Sequence, residues 1–566
     1  MNEHFSIGID FGTDSGRVVI VNVETGEIVG SDVTSYEHGV INENLPEARM
    51  SLPPDYSLQH PQDYLNVLNK SIPVAMSKAD VIGEQIIGMG VDFTSSTMIP
   101  TDENLTPLCF KKEWEDEPHA YAKLWKHHGP SRETDILNAL ATGTRQKFLS
   151  YYGGSISVEW MIPKCVELAE RAPACYEAAE YFIEAGDWII SVLTGKLVRS
   201  NCAAGFKSFW DKTRGYPTDF FEKISPVIGQ LEHTKLRGEI HQVGTRAGLL
   251  HNSYAHSWGL SSETSVATSI IDAHSAVLGM GASEAKTMVM VMGTSTCHIT
   301  LSDKKQAVPG ISGMVEDGII PGLYAYEAGQ SAVGDIFAWF KKNQVPAYIE
   351  YEAKRENLDV FSYLEILSQN IKPGETGLLA LDWHNGNRSV LNDPNLTGMM
   401  IGQTLNTKPE EIFLALMEAT AFGAKVIMEA YQEGGIPTDT IYASGGLPAR
   451  NKRFVQIYAD VTNCPVRIAS NPYVSAVGAA ILGTVAAGES QYGYDSLEKA
   501  MKHMNQLNEK VYNPIPENVQ IYKELYNEYR TLSDYFGRGV NNVMKRLKSL
   551  KTQSYQNERE TETTLP

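Results

Sequence analysis

Cysteine is scarce in this chain. Six occur in 566 residues, at Cys109, Cys165, Cys175, Cys202, Cys297 and Cys464. They are scattered and form no Cys-x-x-Cys pair, which excludes a zinc ribbon or a disulfide-stapled scaffold and fits reduced thiols in a cytosol. Positive charge is also short: 48 Lys and Arg against 68 Asp and Glu leave a formal net charge of −20. A nucleic-acid or anionic-membrane partner needs a basic face, so neither is expected. No uninterrupted apolar run reaches membrane-spanning length, and no basic segment followed by an apolar one opens the chain, so no signal peptide is expected. These absences lead to the expectation of a cytoplasmic protein acting on small molecules. Familiar catalytic signatures are missing too. Gly195-Lys196 lacks the upstream glycine of a Walker A loop, Gly8-Ile9-Asp10-Phe11-Gly12 is no dinucleotide fingerprint, and neither His-Glu-x-x-His nor Gly-x-Ser-x-Gly occurs.

What is present is a device used twice. Ile7-Gly8-Ile9-Asp10-Phe11-Gly12-Thr13-Asp14-Ser15-Gly16-Arg17 and Val289-Met290-Val291-Met292-Gly293-Thr294-Ser295-Thr296 each run from an apolar strand through a Gly-Thr turn into a second strand. Glycine lets such a turn approach a ligand closely, and turn amides with a Thr hydroxyl donate to phosphate oxygens. A duplicated architecture gripping a polyphosphate between its halves is expected. The length calls for two or three domains, and a boundary near Met280–Lys286 divides the chain into residues 1–283, 284–490 and a helical extension, 491–566.

The element pattern alternates in both halves. Strands are expected at Ser6–Asp10, Arg17–Val23, Glu27–Ser31, Gln85–Asp92, Ser265–Asp272 and Thr440–Ala443. Helical spacing marks Glu159–Leu193, Ala273–Gly281, Lys408–Tyr431, a helix from about Asn451, Val474–Ala487 and a long amphipathic helix over Asn518–Leu550. Thr552–Pro566 has the polar composition of a disordered tail.

Each candidate site residue has a functional and a plain reading. Asp10, at a strand end before Gly12-Thr13, either holds a metal-bound water near phosphates or caps its own turn. Asp272, at the end of Ile270-Ile271, is either a general base or the N-cap of the next helix; local sequence favours the cap. His274 reads as a packed or surface histidine rather than a catalytic one. Ser444-Gly445-Gly446-Leu447 either lays bare backbone against an adenine or is an ordinary turn before Arg450, Asn451 and Arg453. Glu327 either binds a polyol or caps a helix. The Trp125-Lys126-His127-His128 and Tyr151-Tyr152-Gly153-Gly154 clusters either bind sugar or cover a core.

In order and spacing, Asp10-Phe11-Gly12-Thr13, Asp272-Ala273-His274, Gly293-Thr294, Glu327-Ala328-Gly329 and Gly445-Gly446 resemble the FGGY carbohydrate kinases over roughly Phe5 to Gly488. Gly90-Val91-Asp92-Phe93-Thr94-Ser95-Ser96-Thr97, Leu124-Trp125-Lys126, Ala204-Gly205-Phe206-Lys207-Ser208-Phe209-Trp210 and Glu327-Ala328-Gly329-Gln330-Ser331-Ala332 are most similar to members that phosphorylate L-ribulose. The resemblance implies an α/β protein of two RNase H-like domains, of the actin/Hsp70/hexokinase ATPase type, with ATP and Mg²⁺ in the cleft. Asp272 would be the catalytic base, reversing the local preference, and Asp10 would organise Mg²⁺ through water with the ATP phosphates. Thr13, Asp14, Ser15 and Arg17 would form the first phosphate loop and Gly293 and Thr294 the second, with Gly334, Gly445, Gly446, Leu447 and Asn451 at the nucleotide. Ser96, Trp125, Lys207, Asp272 and Glu327 would shape the sugar pocket. Thr94-Ser95-Ser96-Thr97 departs from the Arg-Glu or Met-His pair that glycerol and xylulose kinases carry there. A kinase of another pentulose or pentitol (D-ribulose, xylulose, ribitol) and a non-catalytic nucleotide switch of the same fold remain alternatives. A homodimer is compatible with the charged carboxy-terminal helix.

Overall fold

The computed structural model describes residues 3–46, 51–469, 471–505 and 507–551; the tail expected over Thr552–Pro566 lies outside them. Two seven-stranded sheets carry the chain. In the first, Phe5–Phe11, Ser15–Asn22 and Ile28–Ser35 form an antiparallel meander. Ile86–Phe93 then joins Phe5–Phe11 in parallel, and Ser265–Ala267 and Ile270–Ile271 join Ile86–Phe93 in parallel. The second sheet repeats this plan: Thr287–Met292, Thr296–Ser302 and Tyr324–Gln330 form the meander, and Thr440–Ser444 and Val466–Ala469 add in parallel. All residues of Phe5–Phe11 and Ile86–Phe93 are buried, as their near-continuous apolar runs require of strands covered on both faces.

The helix Val474–Ala487 belongs in sequence to the second half, yet it packs on the first sheet, against Phe5–Phe11 and Ile86–Phe93. Glycine makes the approach possible. A Cβ on Gly8 would sit 1.8 Å from the Ala476 carbonyl oxygen, and one on Gly90 would sit 2.0 Å from that of Ala479. The same helix meets Asp272–Gly279, where a Cβ on Gly478 would lie 2.0 Å from the Ser275 carbonyl oxygen. Backbone-to-backbone contact of this kind excludes water completely and leaves no room for adjustment.

Three expectations are corrected. The helical spacing of Glu159–Leu193 resolves into helices Met161–Arg171, Pro173–Ala178 and Ala185–Thr194 with a strand, Tyr181–Glu184, between the last two. Pro173 has no amide to continue the first helix and starts the next, while Tyr181–Glu184 is claimed by pairing with Met98–Thr101. The extension from residue 491 is not wholly helical, since Leu507–Tyr512 pairs antiparallel with Val466–Ala469 as the seventh strand of the second sheet. The long helix expected over Asn518–Leu550 is interrupted: it runs over Pro516–Gly537, breaks at Gly539, whose φ of +86° is off the helical path, and the chain is helical again over residues 543–551. Pro516–Gly537 docks through Tyr522, Tyr526 and Tyr529, whose hydroxyls donate to Glu418 (3.0 Å), Glu429 (2.6 Å) and Asp382 (2.7 Å).

The strand expected over Ser265–Asp272 is broken, and the break matters for the site. Val266 pairs with Met89 and Ile270 with Asp92, so this chain advances four positions while its partner advances three. The extra residue is a bulge, a device that re-aims the residues after it. Those residues lead directly to Asp272, the first residue of helix Asp272–Gly279.

Gly8→Ala should destabilise the protein by about 2 kcal/mol or more, because neither backbone can yield. Gly143→Ala, at a helical glycine with nothing within 4 Å of a built Cβ, should stay within about 0.5 kcal/mol of wild type or gain slightly. Thermal unfolding of both variants checks this, and equal midpoints would refute the packing argument.

Candidate active site

The first Gly-Thr turn closes through the Gly12 amide, which donates to the Ser15 carbonyl at 3.0 Å. Tyr36 holds the turn from behind, its hydroxyl donating to the Gly12 carbonyl (2.9 Å) and its amide to the Asp14 carbonyl (3.0 Å). Gln59 donates to the Thr13 carbonyl (2.7 Å), and the Trp125 indole N–H donates to Thr13 Oγ1 (3.2 Å). A side chain of the expected sugar pocket therefore touches the expected phosphate turn. Asp14 is exposed at the tip and Ser15 half-buried.

Asp10 ends its strand with Arg17 opposite it, Nη1 to Oδ2 2.9 Å. Burial opposes the Arg17 charge, but the Asp10 carboxylate outweighs it and the net shift of Arg17 is upward. On the other side Asp10 is in register with Asp92, the last but one residue of Ile86–Phe93. Asp92 is fully buried, and among the described residues neither of its carboxylate oxygens has a hydrogen-bond donor. Burial, then the charges of Asp10 and Asp272, push its pKa well up. Asp92 did not figure among the expected site residues. The signal was there, an apolar run ending in an acid just as the Asp10 strand does.

Asp272 is not an N-cap. The helix begins on Asp272 itself, and its Oδ1 accepts the amide of the next residue, Ala273, at 2.7 Å. Burial, then the negative charges of Asp10 and Glu327, raise its pKa to about 7, against the pull of the Ala273 amide and Lys207. A carboxyl group that ionises there can take up a proton under ordinary conditions.

Glu327 reaches this group from the second sheet. Lys207, at the end of helix Asn201–Ser208, lies 2.7 Å from its Oε1 and 3.0 Å from its Oε2, and His274 Nε2 lies 3.0 Å from Oε2. Burial acts to raise the Glu327 pKa, but Lys207 and His274 overcome it and the net shift is well downward. His274 is completely buried against Phe206, with Nδ1 3.1 Å from Cys202 Sγ, and burial lowers its pKa. It is thus a packed histidine, as the sequence indicates, and one that orients Glu327. A second bridge between the halves, unforeseen in the sequence, joins Arg388 to Glu159 at 3.0 Å. Ser96 is buried, has φ of +54°, and its Oγ lacks a partner.

The second turn mirrors the first, the Gly293 amide donating to the Ser295 carbonyl at 2.8 Å. Gly334 donates its amide to the Gly293 carbonyl (3.1 Å), and a Cβ there would stand 2.5 Å from that same oxygen. Gly445 has φ of +108° and lies against the Met292 carbonyl, where a Cβ would come within 2.0 Å. Gly293, Thr294, Gly445 and Gly446 are exposed, and Leu447 is half-buried. Asn451 caps the helix Lys452–Thr462, accepting the Phe454 amide at 2.8 Å. The halves differ where the chemistry would lie. In the first sheet Asp10 pairs with Asp92, whereas in the second Val291 pairs with Ser444. The strand-end acids lie in the first half, and the second turn offers bare, uncharged backbone.

The FGGY family of carbohydrate kinases matches this chain with its N-terminal domain over residues 5–279 and its C-terminal domain over 288–487. The ribulokinase of Geobacillus thermodenitrificans is 50% identical over 552 residues, 97% of this chain and 98% of its own. That of Anoxybacillus flavithermus is 51% identical with the same coverage. Among solved structures, gluconate kinase from Lactobacillus acidophilus superposes with a TM-score of 0.78 at 18% identity, covering 95% of this chain and 99% of its own. Plasmodium falciparum glycerol kinase with ADP gives 0.75 at 16%, covering 94% and 98%. These distant likenesses establish the fold, two domains of the actin/hexokinase-like ATPase type. Matched by both family domains in their order, and by relatives along nearly its whole length, the chain belongs to the FGGY family of carbohydrate kinases.

Proposed function

We propose that this enzyme transfers the γ-phosphoryl group of MgATP to O5 of L-ribulose, giving L-ribulose 5-phosphate and ADP. The substrate is supported by the near-full-length relatives named ribulokinase. The chemistry is supported by one arrangement above all: a bulge delivers Asp272 past the sheet end, to a place where burial and the neighbouring acids push its pKa up to about 7. In this reading Asp272 accepts the O5 proton as the hydroxyl oxygen attacks phosphorus in line and the bond to the ADP oxygen breaks. Lys207 and Glu327 bind sugar hydroxyls, each pre-oriented by the other, with Ser96 and Trp125 completing the pocket.

Thr13, Asp14, Ser15 and Arg17 face the phosphates from the first turn, and Gly293 and Thr294 from the second. Gly334, Gly445, Gly446, Leu447 and Asn451 line the nucleotide. Asp10, backed by Asp92, is the carboxylate that would hold Mg²⁺; the donor-free oxygens of Asp92 suit a site completed by a cation. Bound there, the ion neutralises phosphate charge. Exclusion of water from the cleft limits wasteful hydrolysis. We place the reaction in the cytoplasm, and no helix among the described residues is long and apolar enough to cross a membrane.

Asp272→Asn should lower kcat by roughly 10²–10⁴-fold while nucleotide affinity, read by calorimetry, stays close to wild type. A variant retaining near-full kcat would remove the base assignment. Because the base must be ionised, kcat/KM should rise with pH through about 7 and fall on the acid side; a profile flat down to pH 5 would contradict it. In an ADP-release assay over L-ribulose, D-ribulose, D-xylulose and ribitol, L-ribulose should give the highest kcat/KM. Preference for another sugar would overturn the substrate, and ATP hydrolysis indifferent to sugar would overturn the kinase reading.

A further inference from the structure

Lys164 lies on the inner face of helix Met161–Arg171 and is fully buried. Its Nζ donates to three main-chain carbonyls: Ser96 at 2.6 Å, Leu124 at 2.9 Å and Lys123 at 3.5 Å. Ser96 comes just after the strand that ends in Asp92 and Phe93, whereas Leu124 immediately precedes Trp125. One ammonium group thus pins two loops that have no sequence relation.

We propose that Lys164 is a positioning residue for the sugar pocket, fixing the backbone of Ser96 against that of Trp125 and so setting the distance between the two side chains. This rests on the reading that Ser96 and Trp125 face the sugar.

Four observations support it. Three carbonyl acceptors match the three donors of an ammonium group, which a neutral amine with two N–H cannot serve. Burial draws the Lys164 pKa down to about 7 even with the nearby Glu184 and Glu159 carboxyls pushing it back up, so the group is withdrawn from water and its N–H donors are spent on main-chain carbonyls. The backbone it holds is in an unfavourable conformation, since Ser96 has φ of +54°, a region that serine rarely occupies without external restraint. The Ser96 hydroxyl, buried and without a partner, is kept open for a ligand.

The test uses the full-length enzyme with MgATP and whichever pentulose or pentitol the wild type phosphorylates best. Lys164→Met keeps the volume of the stem and removes the donors. It should raise the sugar KM by about tenfold or more, since displacement by a fraction of an ångström spoils a positioned site, while the KM for ATP changes less than threefold. The indole fluorescence change on sugar binding should shrink in parallel. Lys164→Arg, which keeps a buried cation and its donors, should restore most of the sugar affinity, and it serves as the primary variant if Lys164→Met does not fold. In that role it should show the smaller, sugar-selective KM rise expected of displaced carbonyls. Folded Lys164→Met with wild-type sugar KM (or, where only Lys164→Arg folds, no sugar KM rise in that variant), equal rises for sugar and ATP, or failure of both variants to fold would overturn the proposal, the last marking Lys164 as framework only. If the wild type phosphorylates none of the sugars, the proposed function falls and this inference falls with it. If it phosphorylates one and Lys164→Met leaves that KM unchanged, only the inference falls.

Discussion

Placing several carboxylates together out of water is costly unless something compensates them, and this requirement organises the site. Asp10, Asp92, Asp272 and Glu327 come from three strands and a helix start, and they act on one another electrostatically. The chain treats each differently. Asp10 is paired with Arg17, and Glu327 is held charged by Lys207 with His274 beside it. Asp92 has no donor, and Asp272 has only the amide of its neighbour. The result is two acids each held by a cationic side chain and two others whose affinity for protons is raised. Environment rather than residue type separates an acid that binds from one that takes a proton.

The rest of the fold maintains that arrangement. Asp272 is aimed by a single extra residue between Val266 and Ile270, and its helix is pressed against Val474–Ala487 through Gly478 and Gly279. That partner helix is also seated on Gly8 and Gly90 of the strands carrying Asp10 and Asp92. One helix therefore fixes all three acids relative to one another, although it lies some two hundred residues beyond Asp272 in sequence. Glu327 comes from the opposite sheet and meets Lys207 and His274 of the first half, so these contacts tie the two halves together at the site. The Glu159–Arg388 pair crosses the same divide.

Local signals made the two Gly-Thr turns legible. Strand, glycine and hydroxyl succeed one another within a few residues, and both turns close as their composition implies. Val474–Ala487 was legible as a helix because its small residues announce close packing, though not which sheet it would cover. Other features depend on partners remote in sequence. The bulge before Asp272 exists only relative to the register of Ile86–Phe93, so the chain alone read as one continuous strand. Tyr181–Glu184 became a strand because Met98–Thr101 was available to pair with it, and Leu507–Tyr512 because Val466–Ala469 presented a free edge. Nothing in the local sequence marks Lys164, and only folding shows three carbonyls converging on it.

Carbon-13 carboxyl NMR of aspartate-labelled protein tests the central claim directly. One resonance should titrate near pH 7, vanish in Asp272→Asn and move to lower pH in Asp10→Asn, because a neighbouring negative charge has been removed. If the resonance lost in Asp272→Asn titrates in the ordinary aspartate range and is indifferent to Asp10, the electrostatic account of this site is wrong.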